Sequence, residues 1–260
     1  MDDARAGEQA LPGGNVGGAV RVGDTVRRPT GPWTPSVHAL LDHLHRAGLD
    51  AIPVVHGLDA RGREILGYLP GRSIDVDTEI VPASLLVAAV SWLRRFHDAV
   101  RDFRPAGAVR WRNGTFTLTD GQVICHHDPA PYNWIVDGDR LAGVVDWDMA
   151  SPGRPIDDLA FMAWSAVPLF RPQPLETGAA RIRLMAETYG GVSPMALLGH
   201  VGQRMRRATD TIEAGQRHGD PGMLNLAAVG EPARTRRRLD DLQRRRIAIE
   251  RLLGSNERPM

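Results

Sequence analysis

The 260-residue sequence contains no lysine, and all 32 of its basic Lys-or-Arg residues are arginine. A GC-rich genome explains this bias, since arginine codons tolerate G and C where lysine codons do not. The chemical consequence is that every mechanism that requires a lysine side chain is excluded. A phosphate group that this protein binds through a long basic side chain must be held by arginine, a planar and bidentate donor rather than a point charge.

Other features are scarce as well, and each scarcity excludes a class of protein. The single cysteine, Cys125, excludes an intramolecular disulfide framework. No apolar run approaches the roughly 20 residues that cross a bilayer, and the acidic, then glycine-rich start differs from a signal peptide. A net charge of +1 gives no strong field toward nucleic acid or anionic membranes. We therefore expect a cytoplasmic protein that has no nucleic-acid or membrane partner.

Strand signals dominate the first part of the chain. Alternating apolar residues on both sides of Gly23-Asp24 predict a β-ribbon, and two further strands are predicted at 52–58 and 64–69. Thr34-Pro35 predict the start of a helix as N-cap and first-turn proline, and the helix is predicted to end at Gly48.

The part that follows Pro70-Gly71 is mostly helical. Short strands are predicted there only at 123–125, 134–136 and 141–145. Arginines are frequent on the last helices, where interleaved acidic residues indicate solvated helix faces; among them are Arg204, Arg206 and Arg207. We predict an α+β fold of two lobes, a small strand-rich lobe at 1–70 and a larger, mainly helical lobe at 71–260.

The most informative segment runs from Val123 to Leu159. It contains His126-x-Asp128-x-x-x-x-Asn133, and then Asp146-Trp147-Asp148 at the end of an apolar strand. This order and spacing are typical of the catalytic loop of kinases and of the metal-binding aspartate that follows it. One asparagine carbonyl, one aspartate and the nucleotide phosphates suffice to hold Mg²⁺, which prefers hard oxygen ligands and keeps several waters.

The same segment resembles the aminoglycoside phosphotransferase-like kinases, whose typical run is H-G-D-x-x-x-x-N, then I-D-W, then D-x-x-x-D-L-A. Here the corresponding letters are ICHHDPAPYN, VVDWD and DDLA. Within the family the sequence looks most like the branch that includes trifolitoxin immunity proteins, through phrases such as VRRPTGPWTPSVHALLDHL. The resemblance extends from Leu11 to about Arg245. It implies a protein-kinase-like bilobal fold, ATP or GTP as the phosphate donor, and Mg²⁺.

The resemblance also implies roles for individual residues. Asp128 is the candidate base that orients the acceptor hydroxyl, and Asn133 and Asp146 are the candidate metal ligands. His126 is the structural histidine of the loop, and Asp158 braces the loop. Two further positions stay open at this stage: Asp148 is either a second metal ligand or a solvated or capping residue, and His127 stands where the family often has glycine.

The nucleotide site is predicted with one departure from the family. Gly14, Asn15 and Gly17 lie in a glycine-rich stretch that we expect over the phosphates, although a flexible linker has the same composition. Tyr68 lies in the segment that in the family contacts the adenine through backbone groups. The strand lysine of the family is absent, and Arg27 is our candidate replacement, with Arg28 on the opposite face of the strand.

The partner glutamate of that lysine is also missing from its expected helix at 37–44, which offers only Asp42 and, near its start, His38. We therefore keep three functional hypotheses. The first is a Mg²⁺-dependent phosphotransferase that acts on a hydroxyl of a small molecule such as an antibiotic or secondary metabolite. The distal lobe is not clearly acidic, so an aminoglycoside is not specified as the acceptor.

The second hypothesis is a catalytically weak or inactive kinase scaffold that serves as an immunity or binding protein. The third is an iron-dependent oxygenase, in which His126, Asp128 and a distant His200 form a two-histidine, one-carboxylate triad. That site would require a β-barrel, and it leaves Asn133 and Asp146 unexplained.

Overall fold

The computed structural model describes residues 7–11, 18–105, 109–171 and 173–254. Its first part is an antiparallel sheet of five strands in the order β1-β2-β3-β5-β4. The strands are β1 (Gln9–Ala10), β2 (Val20–Val22), β3 (Thr25–Arg28), β4 (Val55–Leu58) and β5 (Glu64–Gly67). Helix α1 (Thr34–Arg46) connects β3 to β4. The α+β fold class with a strand-rich N-terminal part is confirmed.

The β2–β3 hairpin confirms the predicted ribbon. Its turn falls at Gly23-Asp24, and Gly23 has a φ of 60°, a left-handed conformation that glycine adopts without a Cβ penalty. The start of α1 differs by one residue from the prediction. Trp33 is the N-cap, and Thr34 is instead the first helical residue, whose Oγ1 accepts a hydrogen bond from the backbone N–H of Gly31.

Helix α1 forms because its apolar residues recur at helical spacing and face the core. Val37, Leu40, Leu41 and Leu44 are all buried. In the neighbouring sheet, β3 and β5 pair so that Arg28 lies opposite Glu64 and Arg27 lies opposite Ile65. Since successive side chains of a strand point to opposite faces, this register decides which arginine can share a face with Glu64.

The second part of the chain is mainly helical. Its helices are α2 (Ala83–Ala99), α3 (Pro155–Ala166), α4 (Leu175–Tyr189), α5 (Pro194–Arg217), α6 (Pro221–Ala227) and α7 (Ala233–Gly254). They pack around a core that contains the fully buried side chains of Trp92, Phe96, Leu159 and Met162. Short breaks at 218–220 and 228–232 separate α5, α6 and α7.

Two small antiparallel pairs lie beside these helices. One is the hairpin of β7 (Trp134–Asp137) and β8 (Arg140–Val144), and the other pairs β6 (Val123–Cys125) with β9 (Ser151–Gly153). Strand β9 was not predicted, because its sequence Ser-Pro-Gly carries turn signals rather than strand signals.

The segment after Gly71 is held against the hairpin by backbone contacts. Arg72 and Val136 exchange two N–H···O bonds of 3.0 and 2.8 Å. Gly71 has a φ of 141°, and a Cβ at this position would lie 2.5 Å from the carbonyl oxygen of Val136. Glycine is therefore required where the chain passes from the first part of the fold to the second. The boundary at residues 70 and 71 stays a prediction.

None of the helices in the described part of the chain combines the length and the apolar character needed to span a membrane.

Candidate active site

The β7–β8 hairpin brings the first two candidate ligands to one end of a small sheet. Trp134 pairs with Val144, so the residues just outside this pair, Asn133 and Val145, lie at the same end. The N–H of Val145 donates to the backbone oxygen of Asn133 at 2.9 Å. Asp146 is the residue after Val145, so this bond holds the start of its backbone next to Asn133. The distance between the Asn133 amide oxygen and the Asp146 carboxylate stays a prediction.

Asp146 itself has left-handed backbone geometry, with a φ of 63° and a ψ of 67°. Of the non-glycine residues that the structure describes, only three have a positive φ, and two of them, His127 and Asp146, belong to this site. Such conformations persist where the surroundings fix them, and they concentrate at functional sites. The φ of 65° at His127 also explains why the family often places glycine at this position.

Trp147 anchors the turn that carries Asp146 and Asp148. Its side chain is buried, its indole N–H donates to the backbone oxygen of Val144 at 3.0 Å, and its ring contacts the ring of His126 with centroids 4.6 Å apart. His126 is fully buried and lies within hydrogen-bond distance of the Val145 carbonyl through Nε2. Burial lowers the pKa of His126, so a neutral histidine that supports the backbone is the form that fits here.

Asp158 on α3 holds the backbone of the catalytic loop. Its two carboxylate oxygens accept the N–H groups of His126 and His127 at 2.7 and 2.8 Å, and Nε2 of His97 lies 3.2 Å from one of them. Burial alone would raise the pKa of Asp158, but the bond to His97 and the charges of nearby histidines bring it down to about 2. This geometry is the brace that was predicted for Asp158.

Asp128 is partly buried and is bound by two other side chains of the loop. The hydroxyl of Tyr132 donates to Asp128 Oδ1 at 2.5 Å, and the side-chain amide of Asn133 donates to Asp128 Oδ2 at 3.0 Å. Burial, with a smaller contribution from the charge of Asp146, raises the pKa of Asp128 to about 7, although the bonds from Tyr132 and Asn133 oppose this rise. A carboxyl group with a pKa near neutrality suits a general base.

Because the amide nitrogen of Asn133 is bound to Asp128, its amide oxygen points away from Asp128. Nδ2 also donates to the Asp128 backbone oxygen at 2.9 Å, which fixes the orientation of the amide. A fixed amide oxygen is a suitable ligand for a hard cation.

The predicted orientation of the two strand arginines is wrong. Arg28, not Arg27, faces the candidate metal ligands: its Nη2 lies 3.3 Å from Asp146 Oδ1 and 2.9 Å from Asp148 Oδ1. Arg27 lies on the other face, where Nη1 donates to Thr25 Oγ1 and Nε lies 4.0 Å from Asp59. The reason is the β3–β5 register, which sets Arg28 rather than Arg27 opposite Glu64.

Glu64 is a site residue that the sequence analysis missed. Its carboxylate is buried, 3.4 Å from Arg28 Nε and 3.0 Å from His38 Nε2. An acidic partner for the strand cation therefore exists, but it comes from β5 rather than from α1, which supplies His38 instead. The only sequence signal is an acidic residue at the start of a strand after a turn, and this signal does not identify its partner.

Three carboxylates surround the Arg28 guanidinium, namely those of Glu64, Asp146 and Asp148. Burial would lower the pKa of Arg28, but these carboxylates outweigh that effect and raise it. Burial also raises the pKa of Asp148, against the opposing charge of Arg28. Arg112 adds a second cation, 3.6 Å from Asp148. The oxygen donors of Asn133, Asp146 and Asp148 are the chemistry that suits Mg²⁺, so the residues present fit this ion.

Of the residues predicted for the nucleotide, Gly14, Asn15 and Gly17 lie outside the described residues. Tyr68 directly follows β5; its N–H donates to the Asp24 backbone oxygen at 2.9 Å, and the Arg21 guanidinium lies 3.9 Å from the centre of its ring. A contact of this segment with adenine stays a prediction.

The oxygenase hypothesis does not fit the geometry. His200 is partly buried on α5, and its Nδ1 lies within hydrogen-bond distance of the Ala196 backbone oxygen of its own helix. Within the described ranges, the one group of three His, Cys, Asp or Glu side chains with ligand atoms within 4.8 Å of one another is His97, Cys125 and Asp158, which includes neither Asp128 nor His200.

Comparison with known proteins agrees with this geometry. A family model described as "Phosphotransferase enzyme family" matches residues 111–194, a range that includes Asp128, Asn133, Asp146 and Asp158. The trifolitoxin immunity protein of Rhizobium leguminosarum bv. trifolii is 32% identical over 198 residues, which are 70% of this chain and 74% of that protein. The chain belongs to the aminoglycoside phosphotransferase-like family.

Solved structures of low sequence identity share the fold. Aminoglycoside 2'-phosphotransferase-IIIa in its GDP complex superposes with a TM-score of 0.63 at 15% identity, covering 91% of this chain and 92% of that chain. The amicoumacin kinase hAmiN, in complex with AMP-PNP, Ca²⁺ and Ami, gives a TM-score of 0.61 at 11% identity, covering 96% and 89%. The predicted kinase-like fold is confirmed.

Proposed function

We propose that this phosphotransferase moves the terminal phosphoryl group of ATP or GTP to a hydroxyl group of a small molecule, in a reaction that depends on Mg²⁺. The observations that support the proposal are the two carboxylates of Asp146 and Asp148 beside one guanidinium, the backbone bond that holds Val145 to Asn133, and the bond from the Asn133 side chain to Asp128. Phosphoryl transfer needs positioned groups and neutralised phosphate oxygens more than covalent chemistry, and this set of residues supplies both.

In this proposal each residue has a defined task. Asp128 orients the acceptor hydroxyl and takes its proton as the bond from the acceptor oxygen to the terminal phosphorus forms. The bond from that phosphorus to the bridging oxygen breaks, and the nucleoside diphosphate leaves. Asn133 and Asp146 hold the metal, which would neutralise the phosphate oxygens. Arg28 replaces the lysine of the family at the phosphates, and Glu64 orients Arg28.

The nucleotide is proposed to lie between the two predicted lobes, under the glycine-rich stretch with Gly14, Asn15 and Gly17 and beside Tyr68. The fold supports this position, since the shared architecture includes a GDP complex and an AMP-PNP complex of other family members.

A second function is favoured by a different observation. The same guanidinium, that of Arg28, pairs with both Asp146 and Asp148, so that their charges are partly balanced by the protein itself. A relative with 32% identity is named an immunity protein. These facts support a kinase scaffold that binds its target or a nucleotide with little catalysis.

Nucleotide turnover separates the two functions. Purified protein is incubated with ATP or GTP and a panel of hydroxylated antibiotics and metabolites, with and without Mg²⁺. We expect Mg²⁺-dependent turnover that is lost by at least about 100-fold in Asp146→Asn, because that change removes the anionic ligand and retains the shape. Asparagine also tolerates left-handed backbone geometry, so the local fold is retained.

Asp137→Asn is the matched control, because Asp137 is an exposed acidic residue of the same hairpin, paired only with the exposed Arg140 in the described part of the chain. Turnover that survives in Asp146→Asn would place the metal elsewhere. Binding of nucleotide without metal dependence and without turnover across the panel would favour the scaffold function.

A further inference from the structure

A guanidinium lies next to the loop residue that precedes the candidate base. Arg204 of α5 donates from Nη2 to the backbone oxygen of His127 at 2.9 Å, and its Cζ lies 4.4 Å from the centre of the Phe161 ring. His127 directly precedes Asp128. Arg204 therefore places a positive charge beside the position at which an acceptor hydroxyl would meet Asp128.

Arg204 has no carboxylate within ion-pair distance among residues 7–11, 18–105, 109–171 and 173–254, although the side chain is half-buried. Its guanidinium has five N–H donors, and the bond to His127 uses one. Every buried side-chain nitrogen or oxygen atom in those ranges has a partner. The nitrogens of Arg204 that have no hydrogen-bond partner are thus at least partly accessible to solvent.

The charges around Arg204 also favour an anionic ligand at this position. Burial lowers the pKa of Arg204, and the nearby charge of Asp128 opposes this effect. Arg204 has the reciprocal effect on its neighbours. Burial raises the pKa values of Asp128 and Tyr132, and the positive charge of Arg204 partly opposes this rise. An unpaired guanidinium in such a setting is stabilised by an anionic ligand.

Next to Arg204 in sequence or in the fold, the arginine side chains are exposed and the carboxylates that they pair with are buried. Arg154 and Arg207 lie 3.5 and 3.3 Å from the same buried carboxylate, that of Asp157, and the side chains of both arginines are 51% exposed. Asp158 is fully buried, and its oxygens are bound to the loop backbone. The exposed charges of this cluster are therefore positive.

We propose that Arg204 binds a carboxylate group of the acceptor, so that the acceptor is a hydroxy compound with a negative charge rather than a polycation. This inference rests on the proposed phosphotransferase function and specifies its substrate class. A carboxylate matches the planar donor fork of arginine, and a single negative charge matches the guanidinium of Arg204, which lacks a carboxylate partner among the described residues. A polycationic acceptor would bring like charges next to Arg204 and lose affinity.

The test uses matched pairs of compounds that differ only in charge. The acids are ω-hydroxy carboxylates of two to six carbons and gluconate, and each is compared with its own amide; the length series covers different spacings between hydroxyl and carboxylate. The measured quantity is the ratio of kcat/KM for acid over amide in the presence of nucleotide and Mg²⁺. Binding of the same pairs is measured by calorimetry with a non-hydrolysable nucleotide.

We expect at least one acid to exceed its amide by about tenfold or more, and Arg204→Gln to reduce this ratio to near one. Arg204→Lys should retain part of the preference, because it keeps the charge and loses the fork. Arg206→Gln is the matched control: Arg206 is exposed on the same helix and has no ion pair among the described residues, so the ratio should be unchanged. Because the ratio compares two ligands on one protein, a general loss of structure cannot imitate the effect.

The outcomes separate the two proposals. Arg204-dependent binding of an acid without phosphoryl transfer would support the ligand class and contradict the phosphotransferase function. Transfer that prefers amides or a cationic aminoglycoside, or an acid preference that survives Arg204→Gln, would overturn the role of Arg204 and leave the phosphotransferase function intact. If no acid exceeds its amide in turnover or in binding, the proposal is wrong.

Discussion

Arg28 and Asp146 are 118 positions apart in sequence, yet Nη2 of Arg28 lies 3.3 Å from Oδ1 of Asp146. The contact joins a strand of the N-terminal sheet to the turn after the β7–β8 hairpin. In place of the lysine that the family resemblance led us to expect, this lysine-free chain places a guanidinium beside Asp146 and Asp148.

Replacement of Arg28 should weaken nucleotide binding or slow phosphoryl transfer. We expect Arg28→Gln to raise the Kd of the nucleotide or to lower kcat/KM by about 10- to 100-fold, since a charge-assisted hydrogen bond contributes about 1.5–3 kcal/mol. Arg27→Gln is the matched control, because Arg27 lies on the other face of the same strand and contacts Thr25 and Asp59. Nucleotide titration and steady-state kinetics measure both variants; equal effects would show that the face of the strand is irrelevant.

At Asp128 we expect a substitution to affect phosphoryl transfer but not nucleotide binding. Asp128→Ala should abolish phosphoryl transfer while the Kd of the nucleotide changes less than about threefold, because the carboxylate acts on the acceptor rather than on the phosphates. Nucleotide binding is measured by calorimetry and transfer by product formation. If affinity and turnover fall together, Asp128 is a structural or metal-binding residue.

The catalytic loop could be predicted from sequence because its information is local. His126, Asp128 and Asn133 lie within eight residues, and together with the apolar hairpin and the Asp146-Trp147-Asp148 turn that follow they predict a loop in which Asn133 returns to Asp128. The positions of the flanking strands followed from apolar runs in the same way, and the structure confirms β6 at the predicted residues.

The wrong predictions concern residues whose position depends on contacts with parts of the chain that are far away in sequence. The choice between Arg27 and Arg28 depends on the pairing of β3 with β5, which sets Arg28 opposite Glu64 through a register that neither strand encodes alone. Arg204 was interpreted as part of a solvated helix face, since its sequence neighbours are charged. Its half-buried position arises from the packing of α5 against α3 and the catalytic loop, which places it on Phe161 and His127.

Asp158 should make the stability of the protein depend on pH in a defined direction. Its folded pKa of about 2 lies below the value of about 3.9 for an unfolded aspartate. The ionised form therefore stabilises the fold by about 2–3 kcal/mol above pH 4, and this contribution is lost as the pH falls through about 2. Asp158→Asn should reduce the free energy of unfolding at pH 7, and the difference from wild type should shrink as the pH falls.

Urea unfolding between pH 7 and pH 3 measures this difference, and Asp137→Asn serves as the control because Asp137 is exposed. The comparison between variant and wild type removes the titration of all other groups. A difference that stays constant over this range would mean that the charge of Asp158 is not what stabilises the loop.

The hydroxyl of Tyr132 should set the pH at which Asp128 becomes active. Burial raises the pKa of Asp128 to about 7, and the 2.5 Å bond from Tyr132 opposes that rise by stabilising the ionised carboxylate. Because the base must be deprotonated, kcat/KM should fall as the pH drops below the pKa. Removal of the hydroxyl in Tyr132→Phe leaves burial without this opposition, so the pKa of Asp128 should rise further.

We therefore expect the acidic limb of the kcat/KM profile to move to higher pH in Tyr132→Phe, by about 0.5–1 pH unit for a bond of about 1 kcal/mol. The charge of Asp146 also raises the pKa of Asp128, so both proteins are compared at saturating Mg²⁺, where that charge is equally compensated. The Kd of the nucleotide is measured over the same pH range to exclude a binding effect. A limb that stays in place, or that moves to lower pH, would show that Tyr132 does not stabilise the carboxylate that limits the reaction.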